Sequence, residues 1–232
     1  MKKLLSILLV FAMLTCFSAC GNEAKEVSAT VEGKTEIAFT NSKEAFSDIN
    51  YAYQKIDKYS EDIYEAWRLG VNYTKSYGNV EFDTFAREMN IERVHIEAAV
   101  AKLSGKNTFD KSYWTYLPYL YNKSAFSACV ATISEAYICS GDVDEISNLL
   151  INAKTIMKDL SATYSDYEHY PALKSYFTNT LAFFDFCVNP EGSFEQVVET
   201  FNNYRNNARE GFFALNYIFE DSIDGMRDIR EV

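Results

Sequence analysis

Residues that interrupt regular structure are scarce in this sequence. The 232 residues include only 9 glycines and 3 prolines. A β-rich domain of this length needs many tight turns, and glycine and proline are the residues that supply them. Their scarcity argues against a β-rich fold and favours helices joined by short turns.

Motifs that carry chemistry are also missing. The chain has two histidines, and it contains no glycine-rich phosphate loop, no GxSxG nucleophile motif, no HExxH zinc motif and no Cys–His pair at ligand spacing. Without such groups the sequence contains no recognisable catalytic or phosphate-binding site. The sequence therefore predicts no enzyme activity and no cofactor.

Positive charge is in deficit. The chain has 22 Lys and Arg residues against 33 Asp and Glu residues, which gives a formal net charge of −11. Such a surface repels the phosphate backbone of nucleic acids and the headgroups of anionic lipids. Nucleic acid is therefore excluded as a partner, whereas acidic charge alone does not identify a cationic ligand.

The first residues have the order of a secretory signal peptide. Lys2 and Lys3 precede an apolar run over residues 4–14, and the small residues Ser18 and Ala19 follow it. The apolar run is too short to span a bilayer of about 30 Å, which needs roughly 20 such residues. This segment predicts export and not a membrane-spanning helix.

The stretch FSAC at residues 17–20 resembles the lipobox of bacterial lipoproteins. In that motif small residues precede a cysteine that is lipidated and becomes the first residue of the mature protein. Cys16 is the poorer candidate because Thr15 precedes it. The resemblance implies a diacylglyceryl group and a further acyl chain on Cys20, and two or more acyl chains hold a protein firmly in a membrane. Ordinary secretion with an incidental Cys20 is the alternative.

Three segments result from this interpretation. Residues 1–19 are the signal peptide, residues 20–41 are the lipidated cysteine and a polar, flexible tether, and residues 42–232 form a single helical domain. Removing the two signal-peptide lysines takes the net charge from −11 to −13. We expect the mature protein at the cell membrane, anchored by its lipid and facing the extracytoplasmic side.

Apolar residues recur at three- and four-residue spacing from residue 42 onward, as in amphipathic helices. Pro118 should kink or split the helix that contains it, and Pro171 suits a first turn. Ser193 and Gln196 have the spacing of a capping box. The six predicted helices span residues 42–78, 81–103, 111–139, 143–162, 171–188 and 193–219.

Six antiparallel helices joined by short turns predict an all-α domain, for which two architectures compete. The first is an antiparallel helical bundle. The second is a short stack of αα-hairpins that resembles tetratricopeptide repeats, because residues 130–153 match the spacing of one such unit. No second unit follows at a fixed period, and a solenoid needs about three. The bundle is therefore preferred.

The three cysteines of the domain have no CxxC spacing, and their number is odd. Each occurs in an apolar helical context, where a free cysteine behaves as a small hydrophobic residue. We expect Cys129, Cys139 and Cys187 to be buried thiols. One disulfide that involves Cys187 is the alternative.

The two histidines permit a metal-binding alternative. Each follows a carboxylate by three residues, as Glu92 with His95 and Asp166 with His169. Ferritin-like bundles bind metal through Glu-x-x-His pairs on two helices and single glutamates on two others. Against this alternative, an aspartate replaces one glutamate, and His169 lies two residues before Pro171, close to a turn.

Aromatic residues are abundant, with 17 tyrosines and 17 phenylalanines. The segment YWTYLPYLY at residues 113–121 has more rings than one helix face can bury, and tyrosine and tryptophan are enriched in binding hot spots. The candidate contact residues are Trp114, Tyr116, Tyr119 and Tyr121. Filling wide spaces between helices is the alternative role for these rings.

Together these observations predict a lipid-anchored extracytoplasmic binding module. Its partner would be an envelope protein, a peptide or a glycan. The alternatives are a metal-binding helical bundle and a purely structural component of the envelope. A concave aromatic surface beside Trp114 would support recognition, whereas convergence of both histidines on one carboxylate cluster would support metal binding.

Overall fold

The protein is all-α, as predicted, over the residues that the computed structural model describes, which are 23–75, 80–121 and 124–219. This part of the chain forms eight helices and no strand. None of these helices is long and apolar enough to cross a membrane. The helices are α1 Glu23–Lys75, α2 Phe82–Glu88, α3 Arg93–Leu103, α4 Lys111–Leu120, α5 Ala125–Ser140, α6 Asp142–Thr163, α7 Tyr170–Val188 and α8 Phe194–Phe219.

The chain divides into two compact units after Ile37, and the core belongs to the second unit, which starts at Ala38. Within this unit α1 buries a stripe of side chains at three- and four-residue spacing. The stripe includes Ala45, Phe46, Ile49, Ala52, Tyr53, Ile56, Tyr59, Ile63, Ala66 and Trp67, all less than 5 % exposed. A stripe of this length provides a surface on which several other helices pack.

Helices α5, α7 and α8 pack on α1. The Phe46 ring lies 5.8 Å from the ring centroids of Tyr176 in α7 and Phe212 in α8. Further along α1, Tyr59 stacks on Tyr137 of α5 at 4.1 Å. Repeats of a solenoid contact only their neighbours in the chain, whereas α1 contacts three helices that are distant in sequence. This arrangement is a helical bundle.

One predicted helix, over residues 81–103, is in fact two. α2 ends before Met89, which has an extended backbone (φ −93°, ψ 147°), and α3 starts after Glu92, which is also extended. The intervening backbone N–H groups of Asn90 and Ile91 bind the carboxylate of Asp62 in α1. A partner 28 residues away therefore interrupts the helix, and no local signal in the sequence indicates this.

The other sequence signals for the starts and ends of helices have the predicted effect. α4 ends two residues after Pro118, and α7 has Pro171 in its first turn. The Ser193 backbone N–H donates to the Gln196 side-chain oxygen at 2.8 Å, and the Gln196 N–H donates to the Ser193 hydroxyl at 3.3 Å. This capping box begins α8 where the sequence predicts it.

The segment before the core differs from the expected coil. Residues 23–41 belong to α1, and Ala38 and Ser42 are already buried. Alanine, glutamate and lysine are frequent in this stretch, and all three are strong helix formers. A tethering role for it stays a prediction. The signal peptide and Cys20 lie outside the described residues.

The three cysteines within the described residues are free thiols. Cys129 and Cys187 are buried, as predicted, and burial raises the pKa of Cys129 to about 12 and that of Cys187 well above its usual value. Neither thiol is a nucleophile near neutral pH, because the thiolate is the reactive form. Cys139, also predicted to be buried, is only half-buried, and its Sγ lies 3.8 Å from a carboxylate oxygen of Glu135 one turn earlier in α5.

Candidate functional site

Helix α4 has a buried side and an exposed side. Trp114 and Leu117 face the core and are 6 % and 0 % exposed. Tyr116, Tyr119 and Leu120 are 65 %, 66 % and 62 % exposed. Residues three and four apart lie on one side of a helix, so these three form one surface. We call Tyr116, Tyr119 and Leu120 the α4 surface.

Trp114 does not belong to the α4 surface, although its sequence context predicts a contact residue. Its indole N–H donates to the carbonyl oxygen of Val80 at 2.5 Å. Its ring lies 5.8 Å from that of Phe82 and 4.7 Å from that of Phe85, measured between centroids. Trp114 therefore holds α4 in the core, where no partner can reach its ring.

Tyr121 is also less available than predicted. It is half-buried at the end of α4, and burial is the main cause that raises the pKa of its hydroxyl. Leu120, which is not among the predicted contact residues, is exposed. The helical period of α4 accounts for the exposure of Leu120. When Trp114 and Leu117 are buried, residues 116, 119 and 120 must point away from the core.

His95 lies in a polar cleft between α1, the α2–α3 connection and the turn from α5 to α6. The cleft has a volume of about 270 Å³. Its polar lining residues are Lys55, Lys58, Asn90, Glu92, His95, Tyr137, Ser140 and Asp142.

Two charged groups of this cleft, Lys55 and Asp142, are already paired within the protein. The Lys55 ammonium lies 2.8 Å from a carboxylate oxygen of Asp142 and 2.9 Å from one of Glu145. Burial opposes ionisation of Asp142, but hydrogen bonds from Lys55 and Ser140 outweigh it and hold its pKa below the usual value. The arrangement fastens the start of α6 to α1, and it leaves Lys55 little capacity for a ligand.

Beneath this cleft Asp62 forms a buried hydrogen-bonded cluster. Its carboxylate accepts the backbone N–H groups of Asn90 at 2.7 Å and Ile91 at 3.1 Å. It also accepts the Asn90 side-chain amide at 3.0 Å and the Tyr137 hydroxyl at 3.0 Å. Burial raises the pKa of Asp62, and these donors oppose the rise. Because every contact is internal, Asp62 joins α1, α5 and the α2–α3 connection and acts on the fold, not on a ligand.

The second histidine has different surroundings. His169 precedes α7, with its ring 5.3 Å from that of Tyr167 and 6.5 Å from that of Phe219. Its Nε2 lies 3.2 Å from a carboxylate oxygen of Glu168. Asp166 is exposed in the same connection.

The four residues of the metal-binding alternative are therefore not brought together. Glu92 and His95 line the polar cleft, whereas Asp166 and His169 lie in the α6–α7 connection. Within the described ranges, no group of three or more His, Cys, Asp and Glu residues is placed to hold a metal ion. The two i, i+3 pairs are local coincidences of an acidic sequence.

Comparisons with protein-family models, with curated proteins and with solved structures find no match to this chain. Its function is therefore inferred from its own residues and their geometry.

Proposed function

We propose that the protein is a lipid-anchored extracytoplasmic binding module that contacts a protein partner of the cell envelope through the α4 surface. The observation that carries this proposal is the exposure of Tyr116, Tyr119 and Leu120 on one side of a helix whose other side is firmly buried. Isolated exposed apolar residues are normal on proteins. Three large ones adjacent on a single short helix are better explained by a partner that covers them.

The packing of α4 against the core supports a role of its exposed side in binding. Trp114 and Leu117 anchor the helix, and the Asp110 carboxylate caps its first turn by accepting the Ser112 N–H at 2.8 Å. Tyrosine offers a large contact area for the loss of few rotatable bonds. A surface that is rigid before binding loses less conformational entropy on association.

The N-terminal sequence supports the cellular location. The charged and apolar residues of the signal peptide precede the lipobox-like FSAC stretch at residues 17–20. A lipid on Cys20 would confine the domain to the membrane surface. Confinement raises the effective concentration of any partner held in the same envelope, so a modest contact surface is sufficient.

The α4 surface is tested by photo-crosslinking in the cells that produce the full chain. We expect benzoylphenylalanine at position 116 or 119 to give a discrete cross-linked protein product. The same probe at position 51 is the control, because Tyr51 is 44 % exposed but lies on α1, with the Lys55 ammonium 5.6 Å from its ring centroid. This position should give no such product.

A matched variant separates binding from folding. Tyr116→Ser combined with Tyr119→Ser should change the free energy of unfolding by no more than about 0.5 kcal/mol, because both rings are exposed. With the probe moved to position 120, the yield of the product should fall at least about tenfold, as expected for hot-spot residues. Equal yields at positions 51, 116 and 119, or an unchanged yield in the double variant, would contradict the proposed surface.

A further inference from the structure

A second concave surface lies between α1 and α8. It has a volume of about 250 Å³ and is lined by residues of these two helices only. We call it the α8 groove; its lining residues are Ser60, Glu61, Tyr64, Val198, Phe201, Asn202 and Arg205. The α8 groove shares no residue with the α4 surface or with the polar cleft, so a ligand of this groove is independent of the function proposed for the α4 surface.

One wall of the α8 groove is an exposed aromatic ring. Tyr64 is 40 % exposed, and its ring stacks on that of Phe194 with a centroid distance of 5.6 Å and an interplanar angle of 27°. Phe194 also lies 6.2 Å from the ring of Trp67, which is buried. The Tyr64 ring is therefore backed by an aromatic stack that reaches the core, and it contributes an aromatic ring to the lining of the groove.

The rim of the α8 groove contains both hydrogen-bond donors and acceptors. Arg205 and the Asn202 amide group can donate, whereas Glu61 and the Asn202 oxygen can accept. Glu61 and Asn202 are exposed, so their hydrogen-bonding groups are open to a ligand. Val198 and Phe201 complete the apolar part of the lining.

The charged groups around the α8 groove, Arg205, Asp57 and Glu61, are paired with one another. The Arg205 guanidinium contacts the carboxylate of Asp57, donates to the Ser60 hydroxyl at 3.0 Å and lies 3.9 Å from Glu61. An anionic ligand would meet two carboxylates and one guanidinium that is already paired. A cationic ligand would lie beside the same guanidinium. This pairing favours a ligand that is polar but uncharged.

We propose that the α8 groove binds a neutral saccharide, through one pyranose ring stacked on Tyr64. A pyranose has an apolar C–H face that suits the ring of Tyr64. Its equatorial hydroxyl groups both donate and accept, which matches the mixed rim of Glu61, Asn202 and Arg205. Ligand pockets in proteins are generally apolar with a few converging polar groups, and the groove has this character.

Saturation-transfer difference NMR on the full chain tests this proposal. The chain is held in micelles of a zwitterionic detergent that contains no sugar, and the probes are maltotriose, cellotriose and N,N′,N″-triacetylchitotriose, with trilysine as a basic peptide. We expect transfer to the ring C–H protons of at least one saccharide, with a Kd on the order of 1 mM, because a small ligand held at one open edge binds weakly.

The variants locate the binding site. Tyr64→Ala should raise the Kd at least about tenfold, and Asn202→Ala should raise it severalfold. Tyr51→Ala removes a tyrosine of similar exposure on the same helix and should leave the Kd unchanged. Asn202 is exposed, so its variant keeps the test valid if Tyr64→Ala does not fold. The proposal is overturned if no saccharide binds, if binding is the same in Tyr64→Ala and Asn202→Ala as in the wild type, or if only trilysine binds in a Tyr64-dependent way.

Discussion

Replacing Asp62 with alanine is expected to lower the free energy of unfolding by about 3–5 kcal/mol. Asp62 is fully buried, and it accepts hydrogen bonds from Asn90, Ile91 and Tyr137. Alanine would leave the Ile91 backbone N–H and the Tyr137 hydroxyl, both in buried residues, without this acceptor, and each unsatisfied buried donor costs about 1–3 kcal/mol. Urea unfolding of the full chain, followed by circular dichroism, measures the loss.

Two other aspartate variants make this prediction specific. Asp62→Asn keeps one acceptor oxygen and should cost less than Asp62→Ala. Asp159→Ala removes an exposed carboxylate from α6 and should change the free energy of unfolding by no more than about 0.5 kcal/mol. If Asp62→Ala is no more destabilising than Asp159→Ala, the buried cluster does not hold α1, α5 and the α2–α3 connection together.

The pH dependence of stability provides a separate test of the same residue. Burial raises the pKa of Asp62 above its ordinary value of 3.8. Between this value and the raised pKa, Asp62 is protonated in a larger fraction of folded than of unfolded molecules. The contribution of Asp62 to stability therefore falls with rising pH until the raised pKa is passed. Asp62→Asn cannot titrate at this position, so the stability advantage of the wild type over this variant should decrease over the same interval.

Gly70→Ala is expected to destabilise the protein by about 2 kcal/mol or more. A Cβ atom at Gly70 would overlap the Cα of Phe126 in α5 and would lie 2.9 Å from its backbone nitrogen. Overpacking a core costs about 1–3 kcal/mol and occasionally more, and here the obstacle is backbone, which cannot rotate aside. This loss exceeds the gain of up to about 1 kcal/mol that alanine brings over glycine inside a helix.

Gly33→Ala is the matched control for Gly70→Ala, because both glycines lie in α1. A Cβ atom at Gly33 has no heavy atom within 4 Å beyond its own helix and its chain neighbours. Alanine at this position should therefore raise the stability of the helix by as much as about 1 kcal/mol. Thermal unfolding of the two variants should move in opposite directions. Equal shifts would mean that α1 and α5 do not approach closely at Gly70.

Sequence patterns predict the parts of this fold that depend on local chemistry. Three such features are the break after Pro118, the first turn of α7 with Pro171, and the capping box of Ser193 and Gln196. Each depends on residues within one turn of each other. The all-α class likewise follows from composition and from helical periodicity. In contrast, the break between α2 and α3 depends on Asp62, which is far away in the chain, and no local pattern indicates it.

The candidate contact surface was predictable only in part. The density of rings around Pro118 identifies the segment, but it does not say which rings face the core. Trp114 is buried because Val80, Phe82 and Phe85 meet it from outside α4. The same limit applies to His95 and His169, because a spacing of three residues from a carboxylate does not determine whether two distant segments bring their side chains together.

Metabolic labelling with a fatty acid tests whether a lipid on Cys20 holds this module at the membrane. Cells that produce the full chain are grown with labelled palmitate and then fractionated. The proposal predicts a labelled protein in the membrane fraction, loss of label and release from the membrane in Cys20→Ser, and unchanged labelling in Cys16→Ser. Labelling that persists in Cys20→Ser, or a wild-type chain that is exported without label, would contradict it.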